Sequence, residues 1–137
     1  MTSTAPVRTY GFGVTVNLPY AQAIERTRAA LKEQGFGVLT EIDVKQTLKT
    51  KLDVEFRPYV ILGACNPPLA HAALSADLGI GLLLPCNVIV YENGDGSNTV
   101  EVMDPEAALG LVGDNPAIAE VAREARSRLR NALSSLT

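Results

Sequence analysis

The spacing of apolar residues along the chain alternates between a helical period and a strand period. Residues 19–34 carry apolar side chains every three to four positions with charged side chains between them, which predicts a helix with one buried face. Gly35 then supplies a left-handed stop. The same period returns after Asn115, where a second long helix would turn one apolar row inward: Ile118, Val121, Ala122, Ala125, Leu129, Ala132 and Leu133.

Shorter segments have the composition of strands: residues 7–16, 36–42, 59–64, 88–91 and 99–103. Gly11 and Gly13 lie inside the first segment and mark a bulge or the close approach of another group. Residues 59–64 are apolar without interruption, which predicts a strand buried on both faces. The Asn-Gly-Asp-Gly sequence at residues 93–96 predicts a tight turn, so the two strands that flank it must be antiparallel.

Short helices are predicted between the strands because cap-like residues precede them. Asp43, with Gln46 three residues later, resembles a capping box and begins a helix that runs to residue 52. The inner face of this helix would hold Val44, Thr47, Leu48 and Leu52. Asn66 and Asp104 each precede a proline, which suits the first helical position, whereas residues 78–84 fit either a loop or a half-turn of helix. This order predicts an α+β fold, an antiparallel sheet with helices packed on one side.

Length and charge limit what the chain does. With 137 residues, 47% of them apolar, it is predicted to form a single domain over residues 1–137 with its core in residues 7–133. The net charge of −3 provides no basic surface, so neither nucleic acid nor a membrane is expected as a partner. The uncharged run at residues 78–91 is shorter than the roughly 20 residues of a membrane-spanning helix. Residues 1–7 lack the pattern of a secretory signal, so we expect a cytoplasmic location and reduced thiols.

Both cysteines and the only histidine lie between residues 59 and 91. If the strand ending at residue 64 and the strand beginning at residue 88 are antiparallel neighbours, Cys65 and Cys86 would lie close together. Cys65 would also precede a helix N-terminus, which favours the thiolate. A reactive or metal-binding pair is one interpretation, with His71 as a possible thiol activator. The other is a pair of buried structural cysteines, since two thiols fill only half of a tetrahedral metal site.

The residues beside the cysteines complete a candidate pocket. Asn66 and Asn87 suit turn and cap hydrogen bonds, and in a pocket their amides would bind a polar group of a ligand. Pro67 and Pro85 stiffen the segments, as a preorganised site requires. The predicted ligand-binding residues are Gly63, Cys65, Asn66, Pro67, His71, Pro85, Cys86 and Asn87. The candidate metal ligands are Cys65, Cys86 and His71.

Cofactor and catalytic motifs are missing from the sequence. Gly11-Phe12-Gly13 and Gly79-Ile80-Gly81 lack the full dinucleotide fingerprint, and there is no phosphate loop and no nucleophile elbow. Asp95, Glu101 and Asp104 lack the spacing of a calcium loop. We therefore predict no cofactor, and the absence of a catalytic motif favours a protein that is not an enzyme.

Two dense segments, residues 61–70 with Cys-Asn-Pro-Pro and residues 84–88 with Leu-Pro-Cys-Asn, resemble the hallmark of the bacterial and archaeal domain-of-unknown-function family 302. Residues 43–49 and 103–105 are also similar to its pattern, and the resemblance extends from about residue 10 to 133. It implies a fold similar to that of the TATA-box-binding proteins, β-α-β(4)-α with extra short helices, and a homodimer. It implies no DNA binding, because this chain is acidic and a shared fold does not carry function. The family has no established activity.

Three functional hypotheses follow from these observations. The first is a cytoplasmic homodimeric module that binds a small ligand or a partner at the segments 65–71 and 84–87. The second is a thiol-based redox or metal-handling protein that uses Cys65 and Cys86. The third is a structural dimer in which both segments only build core and interface.

Overall fold

A computed structural model of the protein describes residues 5–137 and contains one antiparallel sheet. Its five strands are β1 (Gly11–Val16), β2 (Gly37–Asp43), β3 (Tyr59–Cys65), β4 (Cys86–Glu92) and β5 (Asn98–Met103). Their spatial order is β1-β5-β4-β3-β2, so β1 and β2 form the two edges. The antiparallel pairing of β4 with β5, which the turn at residues 93–96 predicts, is confirmed, and β3 also pairs antiparallel with β4.

The helices account for most of the remaining chain. They are α1 (Tyr20–Glu33), α2 (Val44–Leu52), α3 (Pro67–Ala76), α4 (Pro105–Leu109) and α5 (Pro116–Ser134), with 3-10 turns at Leu78–Leu83 and Gly110–Val112. The principal elements follow the order β-α-β(4)-α with additional short helices, and the α+β prediction is confirmed. Within residues 5–137, no helix combines the length and the apolar composition needed to cross a bilayer.

The hydrophobic core lies between one face of the sheet and the two long helices. Its central strand residues include Val60, Leu62, Val88 and Val100, which pack with residues of α1 and α5. All seven predicted inward residues of α5 are buried: Ile118, Val121, Ala122, Ala125, Leu129, Ala132 and Leu133. A smaller second cluster joins α3, α4 and the start of α5 around Ile80. Helix α5 therefore buries the whole apolar row that its sequence predicts, and α1 buries Ala23, Thr27, Ala30 and Leu31 on its inward face.

The opposite face of the sheet is more exposed to solvent than the sequence predicts. Tyr59 and Ile61 alternate with Val60 and Leu62 along β3 and are only half-buried, so the prediction of a strand buried on both faces is wrong. Burial on both faces requires a layer on each side, and the long helices pack on one side alone. The uninterrupted apolar run at residues 59–64 therefore does not correspond to a strand buried on both faces.

The predicted helix caps are formed by short polar side chains. Asp43 Oδ1 accepts a hydrogen bond from Gln46 N at 2.9 Å, and Asn66, Asp104 and Asn115 cap the next helices in the same way. Gln46 Nε2 donates a hydrogen bond to Thr50 Oγ1 at 3.1 Å, one turn further along α2. Helix α1 differs, because Pro19 occupies its N-cap and makes no side-chain cap bond. Residues 78–84, left undecided by the sequence, form mainly the 3-10 turn.

Strand β1 begins later than predicted, at Gly11, because β5 ends opposite it at Met103 and the pairing closes with the hydrogen bond from Asp104 N to Tyr10 O. The pairing of β1 runs without a register shift, so its glycines mark a close approach and not a bulge. Residues 1–4 lie outside the described residues, and with them most of the segment in which no secretory signal was expected.

Helix α2 and strand β2 expose their apolar residues. None of the residues predicted for the inner face of α2 is buried, and Leu52 is 66% exposed. The prediction was wrong because α2 packs only along β2 and β3 at the margin of the sheet, where the described chain provides no second layer. Other exposed apolar side chains of this region are Leu39, Ile42, Val54 and Phe56. The β2 margin is therefore the main apolar surface that the fold leaves uncovered.

Candidate functional site

The two cysteines lie at one end of the sheet, where β3 ends and β4 begins. Ala64 is the register partner of Cys86, so Cys65 is the next residue along β3, which is the arrangement expected if these two strands are antiparallel neighbours. Gly37 of β2 is the partner of Cys65 on the other side. Cys86 is buried and Cys65 is half-buried, and both are free thiols. This corner of the sheet is the centre of the candidate site.

A cavity of about 390 Å³ opens at this corner, and we call it the apolar cavity. Its sheet side is formed by Phe36, Leu39, Thr40, Ala64, Cys65, Pro85 and Cys86. Its helix and loop side is formed by Asn66, Leu69, Ala70, Ala73, Leu74, Gly81, Leu84, Leu109, Val121 and Ala125. Among these described residues, none carries a charge. Four of the predicted site residues, Cys65, Asn66, Pro85 and Cys86, therefore share one cavity.

Asn66 combines a structural role with a position in the cavity wall. It is 5% exposed, and its Oδ1 accepts a hydrogen bond from Leu69 N at 3.2 Å, which caps α3. Its amide nitrogen lies against the backbone of Gly35, where a Cβ would approach to 2.9 Å. Gly35 has φ +83, so this left-handed position favours glycine twice, by conformation and by space. Asn66 is thus held in one orientation at the cavity wall.

Gly63 makes room for two neighbouring walls of the apolar cavity. A Cβ at residue 63 would lie 2.2 Å from Thr40 Oγ1 and 2.9 Å from Pro85 Cγ. Both distances are far below van der Waals contact. The absence of a side chain at Gly63 therefore lets Thr40 and Pro85 close over this end of β3.

The electrostatics of the cavity disfavour a thiolate at Cys86. Burial, with a smaller contribution from the neighbouring Cys65, raises the pKa of this thiol to about 11. A thiol with such a pKa stays protonated at neutral pH, whereas a nucleophile or metal ligand must be deprotonated. Cys86 is therefore suited to packing and to weak hydrogen bonding in the cavity wall.

The remaining predicted site residues lie elsewhere. His71 is exposed on α3 and does not line the apolar cavity, and Pro67 is exposed at the first position of that helix. Asn87 follows Cys86 along β4 and so points to the other face of the sheet. Across residues 5–137, no three His, Cys, Asp or Glu side chains are grouped to hold a metal ion, so the three candidate metal ligands do not converge.

A second cavity, of about 530 Å³, lies on the less covered face of the sheet and was missed by sequence reasoning. It is lined by Asn87, one of the predicted ligand-binding residues. The other lining residues are Arg8, Tyr10, Gly11, Ile89, Glu101, Val102, Met103, Ala107, Ala108 and Leu111. The signal in the sequence was Glu101, a charged residue between Val100 and Val102 in a buried strand. Its partner Arg8 is 93 residues away, so local pattern alone could not pair them.

The comparisons with known proteins identify the family of the chain. The family model described as domain of unknown function DUF302 matches residues 12–136. A crystal structure of the uncharacterized conserved protein DUF302 from Bacillus stearothermophilus is similar, with 33% sequence identity and a TM-score of 0.86. The match covers 95% of this chain and 100% of that one. None of the curated proteins compared with the chain shows a significant match. The resemblance noted in the sequence is thereby confirmed, and the chain belongs to the DUF302 family.

Proposed function

We propose that this protein binds a small, neutral, predominantly apolar molecule in the apolar cavity. The observation that supports the proposal is the cavity itself, about 390 Å³ in volume and walled almost entirely by aliphatic, alanine and cysteine side chains. Ligand sites in proteins are commonly concave and mostly apolar, with volumes from roughly 300 to 1,000 Å³. The cavity therefore has the size and chemistry of a site for a compact ligand.

The lining favours a ligand without charge. A charged group would lose its hydration in the cavity without finding a partner of opposite sign among the lining residues. Asn66, Cys65 and Thr40 are the polar side chains of the wall, and they suit one neutral donor or acceptor on the ligand. The ligand is thus an apolar body with at most a single hydroxyl, carbonyl or amide group.

The alternative of thiol chemistry has less support. A reactive pair needs a thiolate at neutral pH, and burial raises the pKa of Cys86 to about 11. His71 is exposed and lies outside the apolar cavity, so it does not activate a thiol there. In the proposed function the two thiols contact the ligand and undergo no reaction.

The proposed binding is tested with N-phenyl-1-naphthylamine, a neutral apolar dye whose fluorescence rises in apolar surroundings. The wild type is expected to bind it saturably, and Ala70→Leu, which fills the cavity from α3, is expected to weaken binding by about tenfold or more. Ala72→Leu is the matched control, because Ala72 is exposed on the same helix and does not line the cavity. Equal binding by Ala70→Leu and the wild type, or no saturable binding by the wild type, would overturn the proposal.

The protein is further proposed to be a homodimer that pairs through the β2 margin. Strand β2 has a strand partner on one side only within the described sheet, and it exposes Leu39 and Ile42. An edge strand pairs with a symmetry-related copy of itself through backbone hydrogen bonds, since an antiparallel pair is self-complementary about a two-fold axis. Exposed Leu52, Val54 and Phe56 extend the apolar area beside this edge.

Light scattering tests the dimer directly. The wild type is expected at twice the 14.6 kDa mass of one chain, and the double variant Leu39→Lys with Ile42→Lys is expected at the mass of one chain. Leu82→Lys is the matched control, because Leu82 is 92% exposed and belongs to the 3-10 turn Leu78–Leu83 and not to β2 or α2. A monomeric wild type, or a double variant that stays dimeric, would contradict pairing through β2.

A further inference from the structure

The less covered face of the sheet has a depression where β1 lacks side chains. Gly11 and Gly13 lie on this face, opposite Met103 and Glu101 of β5. A Cβ at residue 11 would lie 2.8 Å from Val102 O, and a Cβ at residue 13 would lie 2.6 Å from Glu101 Cγ. Gly13 therefore makes room for the side chain of Glu101, and Gly11 lies in the lining of the second cavity.

A buried carboxylate and an arginine occupy one end of this depression. The Glu101 side chain is 4% exposed, and its two oxygens accept hydrogen bonds from Arg8 Nε at 2.5 Å and Arg8 Nη2 at 3.1 Å. Tyr91 Oη donates to Glu101 Oε2 at 2.9 Å, and Tyr59 stacks on Tyr91 with ring centroids 5.5 Å apart. The bidentate pair fixes the guanidinium of Arg8 in one plane.

Arg8 keeps hydrogen-bond donors for a further group. A guanidinium has five N–H donors, and the contacts with Glu101 and Tyr10 use three of them. The remaining two lie one on each Nη nitrogen, in a side chain that is 31% exposed. Hydrogen bonding to Glu101 and the nearby negative charge raise the pKa of Arg8, so its positive charge is retained. This geometry suits a planar group with two acceptor oxygens.

The other walls of the second cavity are mainly apolar. They comprise Ile89, Met103, Ala107, Ala108 and Leu111, from β4, β5 and the segment that contains α4. The hydroxyl of Tyr10 and the amide of Asn87 add polar groups to the same lining. One end of the second cavity is thus polar, with the Arg8–Glu101 ion pair, and the rest accepts an apolar body.

From this arrangement we infer that the second cavity is a binding site for a small carboxylate with an apolar body, separate from the apolar cavity. The carboxylate is bound by the free N–H groups of Arg8, and Glu101 with Tyr91 acts as the support that positions the guanidinium. The apolar body packs against Ile89, Met103 and Ala108. The second cavity offers free guanidinium donors beside an ion pair, whereas the apolar cavity has no charged side chain in its lining. The second cavity therefore selects an anionic ligand and the apolar cavity a neutral one.

The test is a titration followed by ¹H–¹⁵N correlation spectra, with benzoate as the anionic probe and benzyl alcohol as its neutral counterpart. Benzoate is expected to shift the amide signals of Ile89, Met103 and Ala108 saturably, and benzyl alcohol is expected to bind these residues at least about tenfold more weakly. Arg8→Gln is expected to abolish the preference for benzoate.

Two further variants keep the result independent of any loss of folding in Arg8→Gln. Ala108→Leu narrows the second cavity without touching the Arg8–Glu101 pair and is expected to weaken benzoate binding, whereas Ala70→Leu, which fills the apolar cavity, leaves it unchanged. Equal affinity for both probes, shifts centred on Leu69 and Ala73, or no saturable shift with benzoate would each overturn the inference.

Discussion

Gly13 lies directly opposite Glu101 across β1 and β5, and the carboxylate side chain passes over the position where residue 13 would carry a Cβ. That Cβ would be 2.5 Å from Val100 O and 2.6 Å from Glu101 Cγ. The backbone oxygen cannot move without disturbing the sheet. The glycine is therefore a requirement of the buried carboxylate and not a loose point in the strand.

Gly13→Ala is expected to lower the free energy of unfolding by about 1–3 kcal/mol, the usual cost of overpacking. Urea denaturation followed by circular dichroism measures the change. Gly37→Ala is the matched control, because Gly37 also lies in an edge strand but a Cβ there would meet no other atom within 4 Å. A loss in Gly13→Ala no larger than that in Gly37→Ala would show that Glu101 can move aside.

Tyr91→Phe is expected to reduce stability by about 1–2 kcal/mol, since it removes a hydrogen bond donated to a charged acceptor. The stacking of residue 91 on Tyr59 is retained, so the change isolates the hydroxyl group. Tyr10→Phe provides the comparison, because the Tyr10 side chain is exposed and its hydroxyl accepts a bond from Arg8 at 3.2 Å. If both variants unfold at the same urea concentration, the Tyr91–Glu101 bond contributes nothing measurable.

Asn66→Ala is expected to destabilise the fold by about 1–2 kcal/mol through loss of the α3 cap. Asn66→Asp keeps an acceptor oxygen for Leu69 N and is expected to lose less. Asn131→Ala, at an exposed position inside α5, serves as the surface control. The urea concentrations at which the variants unfold test the prediction. If Asn66→Ala unfolds at the same concentration as Asn131→Ala, the cap provided by Asn66 does not contribute to stability.

Deprotonation of Cys86 is expected to lower the stability of the protein at alkaline pH. Its ordinary pKa is 9.0 and the folded value is about 11, so the folded state holds this proton more tightly than the unfolded chain. The resulting stabilisation is complete below pH 9 and is lost as the pH rises towards about 11. At one pKa unit per 1.36 kcal/mol, the full loss is on the order of 2–3 kcal/mol.

Cys86→Ala is the variant that isolates this effect, measured by urea unfolding under reducing conditions from neutral to alkaline pH. Burial also raises the pKa of Tyr20, Tyr59 and Tyr91, so these tyrosines contribute alkaline losses of the same sign to both proteins. The wild type is expected to lose more stability than Cys86→Ala in this range. Parallel pH curves would mean that the buried thiol does not titrate as described.

The elements of the fold were largely predictable because each has a local signal. The apolar row of α5 and the cap at Asn66 are properties of neighbouring residues, and both predictions are confirmed. The inner face of α2 has the same kind of pattern, yet none of its residues is buried, because periodicity reports an apolar face and not what covers it.

The candidate site was predictable only in part. Strand alternation sends Cys86 and Asn87 to opposite faces, so two adjacent residues that the sequence assigned to one pocket line two different cavities. The Arg8–Glu101 pair joins residues from distant parts of the chain, and that contact exists only once β1 and β5 are paired. Helix register, in turn, decided that His71 faces solvent.

The uncovered edge of β2 also has a consequence for solubility. An exposed strand edge with apolar residues can add strand after strand and lead to aggregation, which natural proteins oppose with charged residues on the edge. Glu41 and Asp43 lie on β2 beside Leu39 and Ile42, and Arg28 holds Glu41 at 2.9 Å. Charged residues of this kind oppose aggregation through a strand edge, so replacing Glu41 by an apolar residue is expected to lower the solubility of the protein.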